Sequence, residues 1–219
     1  MKAISAVLYF LSQHPAWSFF IILAVFAGLA VLLRRLWLLV PGFLLGMANI
    51  FCASFLNAWF LQTWGTPGTA VVIQATQTNS TLNDQYIFEY AVIAKAGGKD
   101  VKTNFSSMSA AIWPIRNEIL IPPPGQVFVT KYIPGYEENI VIMADESTYG
   151  KMRIIASNRE AVDRARNQLA ASPSNESYQE EYRQALQTFL SDPANRLDSV
   201  SIRQFSDALG QLKTAAPAP

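Results

Sequence analysis

The side chains most often used for catalysis and metal binding are scarce in this chain. His14 is the only histidine and Cys52 the only cysteine among 219 residues. Zinc and redox-metal sites need several such ligands, so no metal centre of that kind is expected. His14 stands beside Pro15 at the edge of an apolar run, and Cys52 lies inside a second one. We interpret them as a boundary residue and a packing residue, in preference to a general base and a nucleophile.

A lysine and two serines offer another possible chemistry. Lys102 precedes Ser106 and Ser107 closely enough for a Ser–Lys dyad, which would suit a membrane-bound hydrolase. The flanking residues do not resemble a nucleophile elbow, and the chain has neither a Walker loop nor a dinucleotide-binding fingerprint. We therefore expect a non-enzymatic protein that needs no cofactor, with the hydrolase as the weaker alternative.

Four carboxylates lie close together in the second half of the chain and could hold a divalent cation. Their spacing fits no EF-hand loop, so we interpret them as solvated turn residues and expect no metal site. They are Glu137, Glu138, Asp145 and Glu146.

The composition indicates a membrane protein and argues against a nucleic-acid-binding one. Hydrophobic residues make up 51% of the chain and charged residues only 15%, whereas soluble domains average about 25% charged residues. Between residues 15 and 83 the only charged side chains are Arg34 and Arg35. A net charge of +1 without a basic cluster provides no surface for phosphates. We expect a lipid bilayer as a partner and no nucleic acid.

Two apolar segments are long enough to cross a bilayer. Residues 15–33 and 41–61 would form helices of roughly 28 and 31 Å, close to the hydrocarbon thickness of about 30 Å. The first run is longer than the core of a signal peptide, and a second run follows it. We predict a two-helix transmembrane hairpin over residues 15–64, in preference to a cleaved signal peptide with one anchor or a buried soluble core.

The positive charges predict the orientation of this hairpin. Arg34 and Arg35 lie between the two spans, where the positive-inside rule assigns them to the cytoplasm. The bulk of the chain is then in the periplasm, as a two-pass protein of a bacterial inner membrane, although Lys2 leaves a small charge margin and the cytoplasmic orientation open. Residues 1–14 are predicted to form a short amphipathic helix at the membrane interface.

The pattern changes from helical to strand-like after residue 64. A linker of turn residues over 64–69 leads into about five β-prone segments, and turns are expected at residues 79–84, at Gly97-Gly98 and at Pro134-Gly135. We predict a small antiparallel β sandwich or partly open barrel over residues 65–146, with Tyr132 and Ile133 in its core. The predicted strands are 69–78, 85–95, 101–107, 126–133 and 139–144.

The β region resembles the bacterial membrane-protein family catalogued as domain of unknown function 3592. The resemblance covers residues 68–143, and it implies membrane helices joined to a small β domain without implying an activity. The matching positions are Tyr86, Tyr90, Gly97, Gly98, Val129, Tyr132, Pro134, Gly135 and Asn139.

Amphipathic helices are predicted over residues 147–213, which completes an α+β fold. Ser157 with Glu160 and Ser177 with Glu180 have the spacing of capping boxes, and apolar residues recur at helical spacing. The helices would bury their apolar sides on one another, on the β domain or on a partner. Residues 214–219 are predicted to be disordered.

Four residues are candidates for contacts with a partner. Asn49 and Asn57 are amides in the second span, where they and nearby small residues could form a helix–helix contact. Trp113 and Tyr136 are aromatic residues in predicted loops. We expect a membrane-anchored envelope protein that presents its β domain and helices to a protein partner or to a second copy of itself. The alternative is an accessory subunit of a transporter, secretion or other membrane complex, which would use its spans.

Overall fold

The chain folds into two compact units, which divide between Tyr149 and Gly150. The structure is a computed structural model and describes residues 1–82, 84–116 and 119–215.

The first unit begins with three helices. They are α1 (Lys2–Gln13), α2 (Pro15–Leu32) and α3 (Leu39–Trp64), with a 3₁₀ turn at Leu36–Leu38. Only His14 separates α1 from α2, and Pro15 opens α2 at a position where its missing N–H is not needed. Among the described residues, two helices are long and apolar enough to cross a membrane, as predicted.

Small residues bring α2 and α3 into contact, so the two helices pack on each other. A Cβ atom on Gly42 would lie 2.5 Å from Phe26 Cβ, and one on Gly46 would lie 2.7 Å from Phe19 Cδ2. Glycine is therefore needed at both positions for this close approach. Further along, α3 packs against α1, and the Asn49 amide is 3.4 Å from the Leu11 carbonyl oxygen.

Six strands follow and form a single sheet. The sheet order is β3-β2-β1-β5-β6-β4, and all neighbours are antiparallel except β4 and β6. The sequence predicted five antiparallel strands, and the two-residue β4 makes the sheet mixed. The strands are β1 (Thr66–Leu82), β2 (Gln85–Ala96), β3 (Lys99–Ser106), β4 (Ile112–Trp113), β5 (Val127–Ile133) and β6 (Tyr136–Met143).

The linker predicted at residues 64–69 was wrong. Only Gly65 separates α3 from β1, because Thr66 already pairs with Tyr132 of β5. Lys131 fastens this connection, since its Nζ donates to the carbonyl oxygen of Gln62 at the end of α3 at 2.8 Å. Helix ends leave such carbonyls without a partner inside the helix.

The turns were predicted with mixed success. Gly97, Gly98 and Gly135 have positive φ angles, as the predicted tight turns require. The turn expected at residues 79–84 was placed too early, because β1 continues to Leu82, which pairs with Gln85. Residue 83, which belongs to the predicted turn, lies outside the described residues.

The sheet curves strongly. In a flat sheet β3 and β6 would be about 19 Å apart, since four intervals of about 4.8 Å separate them. Nevertheless Thr103 Oγ1 of β3 donates to the Glu138 carbonyl oxygen of β6 at 2.7 Å. The predicted sandwich or barrel is not confirmed, but the sheet does enclose an apolar core on its concave side. This core includes Ala70, Val72, Val92, Ala94, Phe105, Phe128, Tyr132, Ile140 and Ile142.

The second unit consists of helices that pack on one another, one of the three arrangements expected. They are α4 (Thr148–Ala171), α5 (Glu176–Ser191) and α6 (Ser199–Ala215), with a 3₁₀ helix at Pro193–Leu197. The predicted apolar stripes of α5 and α6 are confirmed as core. The buried core residues are Ile155, Val162, Ala165, Tyr182, Leu186, Phe189 and Phe205.

Both predicted capping boxes were wrong. Ser157 lies inside α4, which begins nine residues earlier. Asn175, two residues before Ser177, caps α5 by accepting from the backbone N–H groups of Ser177 and Tyr178. α6 extends through residues 214 and 215 of the segment predicted to be disordered, and residues 216–219 lie outside the described part of the chain.

Candidate interaction site

An apolar cluster joins the helices of the first unit to the convex side of the sheet. We call it the helix–sheet junction. The end of α3 supplies Ala58, Phe60 and Leu61, which are 0%, 5% and 0% exposed. Their burial shows that this end of α3 packs on protein. The other members are Ala111, Ile133, Val141 and Met143, with Leu8, Trp113 and Val129 packed against them.

Two buried asparagines form a polar pair at this junction. Asn57 Nδ2 of α3 donates to Asn139 Oδ1 of β6, and Asn139 Nδ2 donates back to Asn57 Oδ1, both at 2.8 Å. Asn139 Nδ2 also lies within 3.1 Å of the carbonyl oxygen and 3.0 Å of the hydroxyl of Ser5 in α1. All three residues are almost completely buried. The pair therefore links α1, α3 and β6, and leaving one amide without its partner would cost about 1–3 kcal/mol.

The two amides predicted to bind a partner have different environments. The Asn57 side chain is engaged within its own chain and is 2% exposed, so a partner could reach it only by opening the junction. Asn49 is half-buried, and its one described hydrogen bond, to Leu11, is long. It lines an apolar groove of about 360 Å³ between α2 and α3. Of the two, Asn49 is the more accessible to a second molecule.

The two predicted aromatic residues lie in strands, not in loops. Trp113 belongs to β4 and is half-buried against the junction. Tyr136 begins β6, and its ring stacks edge-on against Tyr9 of α1 with 5.8 Å between the ring centroids. Burial, the charge of Glu138 and the nearby Tyr9 raise the pKa of the Tyr136 hydroxyl. Trp113, Tyr136 and Asn57 therefore all lie at the contact between helices and sheet, although the sequence placed them in separate elements.

The serines of the possible hydrolase dyad have structural partners. Ser106 Oγ is 3.1 Å from Ser109 Oγ and accepts from the backbone N–H of Ser109 in a tight turn. Ser107 Oγ accepts from the backbone N–H of Phe88 at 3.0 Å. Both hydroxyls thus stabilise the end of the β2–β3 hairpin.

The carboxylates considered for a cation site are divided among separate contacts. Asp145 forms a bidentate ion pair with Arg116, with both N–O distances at 2.7 Å. Glu137 accepts from the backbone N–H of Gly135, and this hydrogen bond lowers its pKa. Within the part of the chain that the structure describes, no group of three or more histidine, cysteine or acidic side chains could hold a metal ion.

Sequence reasoning missed Ser5 and the pairing of Asn139. Asn139 is a single amide just before the apolar run of residues 140–143, and the side chains that follow it on the strand are buried. A buried amide needs a hydrogen-bond partner, so this position could have signalled a contact. The identity of the partner, 82 residues away, could not have been read from the pattern.

No family model, curated protein or solved structure matches this chain. The resemblance to domain of unknown function 3592 therefore stays a hypothesis.

Proposed function

We propose that this is a membrane-anchored envelope protein, in which α2 and α3 span the bilayer and hold the remaining chain on the extracytoplasmic side for contact with another protein. The periplasm of a bacterium is the compartment that fits this arrangement, with Arg34 and Arg35 in the cytoplasm. The proposal assigns no catalytic step to the chain.

The observation that carries the proposal is the exposure of the apolar helices. Only 11% of the residues of α2 are buried, and 17% of the most apolar stretch in the second candidate span. The core helix of a soluble protein would bury its apolar side chains against other elements. Here large side chains such as Phe20, Leu32, Phe43 and Phe51 are between 50% and 76% exposed. The hydrocarbon core of a bilayer would cover these side chains and remove their apolar surface from water.

The described residues around the end of β4 are the best candidate for a protein contact. Trp113, the last residue of β4, is half-buried, and Ile115 and Ile119 beyond it are 46% and 59% exposed. The Arg116–Asp145 ion pair lies in the same region. Apolar side chains beside a charged pair are typical of the border between the core and the rim of a protein interface.

A second candidate function is an accessory subunit that binds through its spans. It is favoured by the groove between α2 and α3, whose lining is apolar except for Asn49. An amide in such a groove could form a hydrogen bond with a neighbouring helix.

Site-specific photocrosslinking in cells separates the two functions. A photoreactive amino acid would replace Trp113 in one variant and Asn49 in another. One stoichiometric adduct from position 113 alone supports the interaction protein, and an adduct from position 49 alone supports the accessory subunit. If neither position forms an adduct, both proposed functions are contradicted.

The topology needs its own experiment. In a Cys52→Ser background, we expect Ser174→Cys to react with a membrane-impermeant maleimide in intact spheroplasts. The control Leu36→Cys should react only after lysis. The reverse pattern would exclude the extracytoplasmic location, and recovery of the protein in the soluble fraction would exclude the anchor.

A further inference from the structure

A polar cleft lies beside the point where α1 ends and α2 begins. It consists of two adjoining cavities of about 300 and 350 Å³ that share Gln13, Glu89, Ser106 and Ser109 in their linings. Cavities of this size are in the range that binds small ligands. We call it the interfacial cleft.

The cleft lies beside the first turn of α2. Pro15, the first residue of α2, lines it together with Ile50 and Ala53 of α3. These residues mark the end of the apolar contact between α2 and α3. If α2 spans the bilayer, the mouth of the cleft is at the depth of the phospholipid headgroups.

The β1–β2 hairpin forms the opposite wall. Thr78, Ser80 and Ile87 line the cleft, and the hairpin continues past them to Leu82 and Tyr86. These two side chains are 51% and 56% exposed. Aromatic and apolar side chains at such positions are favourable in the interfacial layer of a membrane.

The polar groups of the cleft are the Glu89 carboxylate, side-chain hydroxyls, two amides and the imidazole of His14. Glu89 is exposed and lines both cavities, and none of the described residues forms an ion pair with it. Gln13 Oε1 accepts from Ser109 Oγ at 2.9 Å, so its Nε2 group is left to donate. Asn104 adds a second exposed amide. None of the described lining residues is a lysine or an arginine.

These polar groups would favour some phospholipid headgroups over others. The Glu89 carboxylate accepts hydrogen bonds, and a primary ammonium supplies three N–H donors. Neutral amides can donate to the phosphate of the same headgroup without leaving a net positive charge in the cleft. An anionic headgroup without an ammonium would face the Glu89 carboxylate, and no lysine or arginine among the described lining residues would offset the repulsion.

We propose that the interfacial cleft binds the headgroup of a phospholipid that carries a primary ammonium, with Glu89 as the acceptor for that ammonium. The inference rests on the proposed membrane anchor, because it requires the cleft to lie at the bilayer surface. Leu82 and Tyr86 of the adjacent hairpin would then contact lipid beside the bound headgroup.

Native mass spectrometry of the full chain from lipid nanodiscs tests the proposal. The nanodiscs would contain equal amounts of phosphatidylethanolamine, phosphatidylcholine and phosphatidylglycerol. We expect phosphatidylethanolamine to be retained about tenfold over the other two, the size expected from one hydrogen bond to a charged group. Equal retention of phosphatidylcholine or of phosphatidylglycerol would overturn the assignment, because the first cannot donate from nitrogen and the second has no ammonium.

Two variants in the cleft and one control variant identify the site. Glu89→Gln should abolish the preference, and Glu181→Gln, which removes a charge from an exposed position in the second unit, should leave it unchanged. Asn104→Ala should weaken it without removing the carboxylate, which keeps the test valid if Glu89→Gln folds poorly. A preference that survives Glu89→Gln and Asn104→Ala would place lipid binding elsewhere and overturn the proposal.

Free phosphoethanolamine distinguishes a lipid from a soluble amine. We expect it to compete only weakly with the lipid for protein in detergent. Competition at equal concentration would overturn the lipid assignment. Failure of the anchor itself would be seen separately, as protein in the soluble fraction, whereas an anchored protein without lipid preference would contradict only this inference.

Discussion

The two segments of α3 have similar residues and different surroundings. In residues 39–53, large side chains such as Phe43, Leu44 and Leu45 are 50–60% exposed, and glycines allow the close approach to α2. In residues 54–64, Ala58, Phe60 and Leu61 are buried against the sheet, and Asn57 pairs with Asn139. The hydropathy of a helix therefore indicates that it needs an apolar environment, but not whether lipid or protein provides it.

The amide at position 57 marks the change between the segments. A polar side chain without a partner is costly in hydrocarbon and in a protein core alike. Asn57 has a partner only because β6 lies beside it. The buried polar group is thus a better sign of protein packing than the apolar residues around it.

The largest expected effect comes from removing apolar volume in the two segments. Leu61→Ala should lower the free energy of unfolding by about 2–5 kcal/mol, because Leu61 is fully buried and its removal leaves a cavity. Leu44→Ala, at a 60% exposed position, should cost less than about 1 kcal/mol. Unfolding in mixed detergent micelles, followed by tryptophan fluorescence, measures both. Equal losses would show that the two segments share one environment.

An intermediate effect is expected from the amides. Asn57→Ala should cost about 1–3 kcal/mol in the same assay, because Asn139 loses its reciprocal hydrogen bonds. Asn49→Ala should cost less than about 0.5 kcal/mol, since it removes one long hydrogen bond. The double variant Asn57→Ala/Asn139→Ala should be less unstable than the sum of the single variants. Strict additivity would argue against the pair.

The smallest effect concerns the glycines of the hairpin. Gly46→Ala should destabilise the helix pair by about 1 kcal/mol, because the new Cβ atom would lie 2.7 Å from the Phe19 ring. Gly28→Ala is the matched control, with no atom within 4 Å of the new Cβ, and should be neutral or slightly stabilising. A cost at position 28 that equals the cost at position 46 would mean that the α2–α3 contact is not as described.

Local patterns predicted the elements of this fold well. The bounds of α1, the tight turns at Gly97-Gly98 and Pro134-Gly135, and the core positions Tyr132 and Ile133 all follow from periodicity or backbone preference. These features depend on a few consecutive residues, so the sequence alone contains the information.

Features that depend on distant residues were missed or misplaced. The turn residues of 64–69 predict a linker, but pairing with β5 draws Thr66 into the sheet. Ser157 has the spacing of a helix cap, but Ile155 is buried in the second unit and the helix extends past both. The role of Asn57 depends on a strand that begins more than 70 residues later. In each case tertiary contacts override a local preference.

The single-residue connection at Gly65 has a mechanical consequence. α3 is continuous from Leu39 to Trp64, the Lys131–Gln62 hydrogen bond ties its end to β5, and β1 starts at Thr66. The sheet therefore has no hinge on which to turn independently of the helix. A bilayer whose thickness differs from the length of the apolar segment changes the tilt of a spanning helix. If α3 spans a bilayer, as proposed, such a change of tilt would reorient the whole sheet relative to the membrane plane.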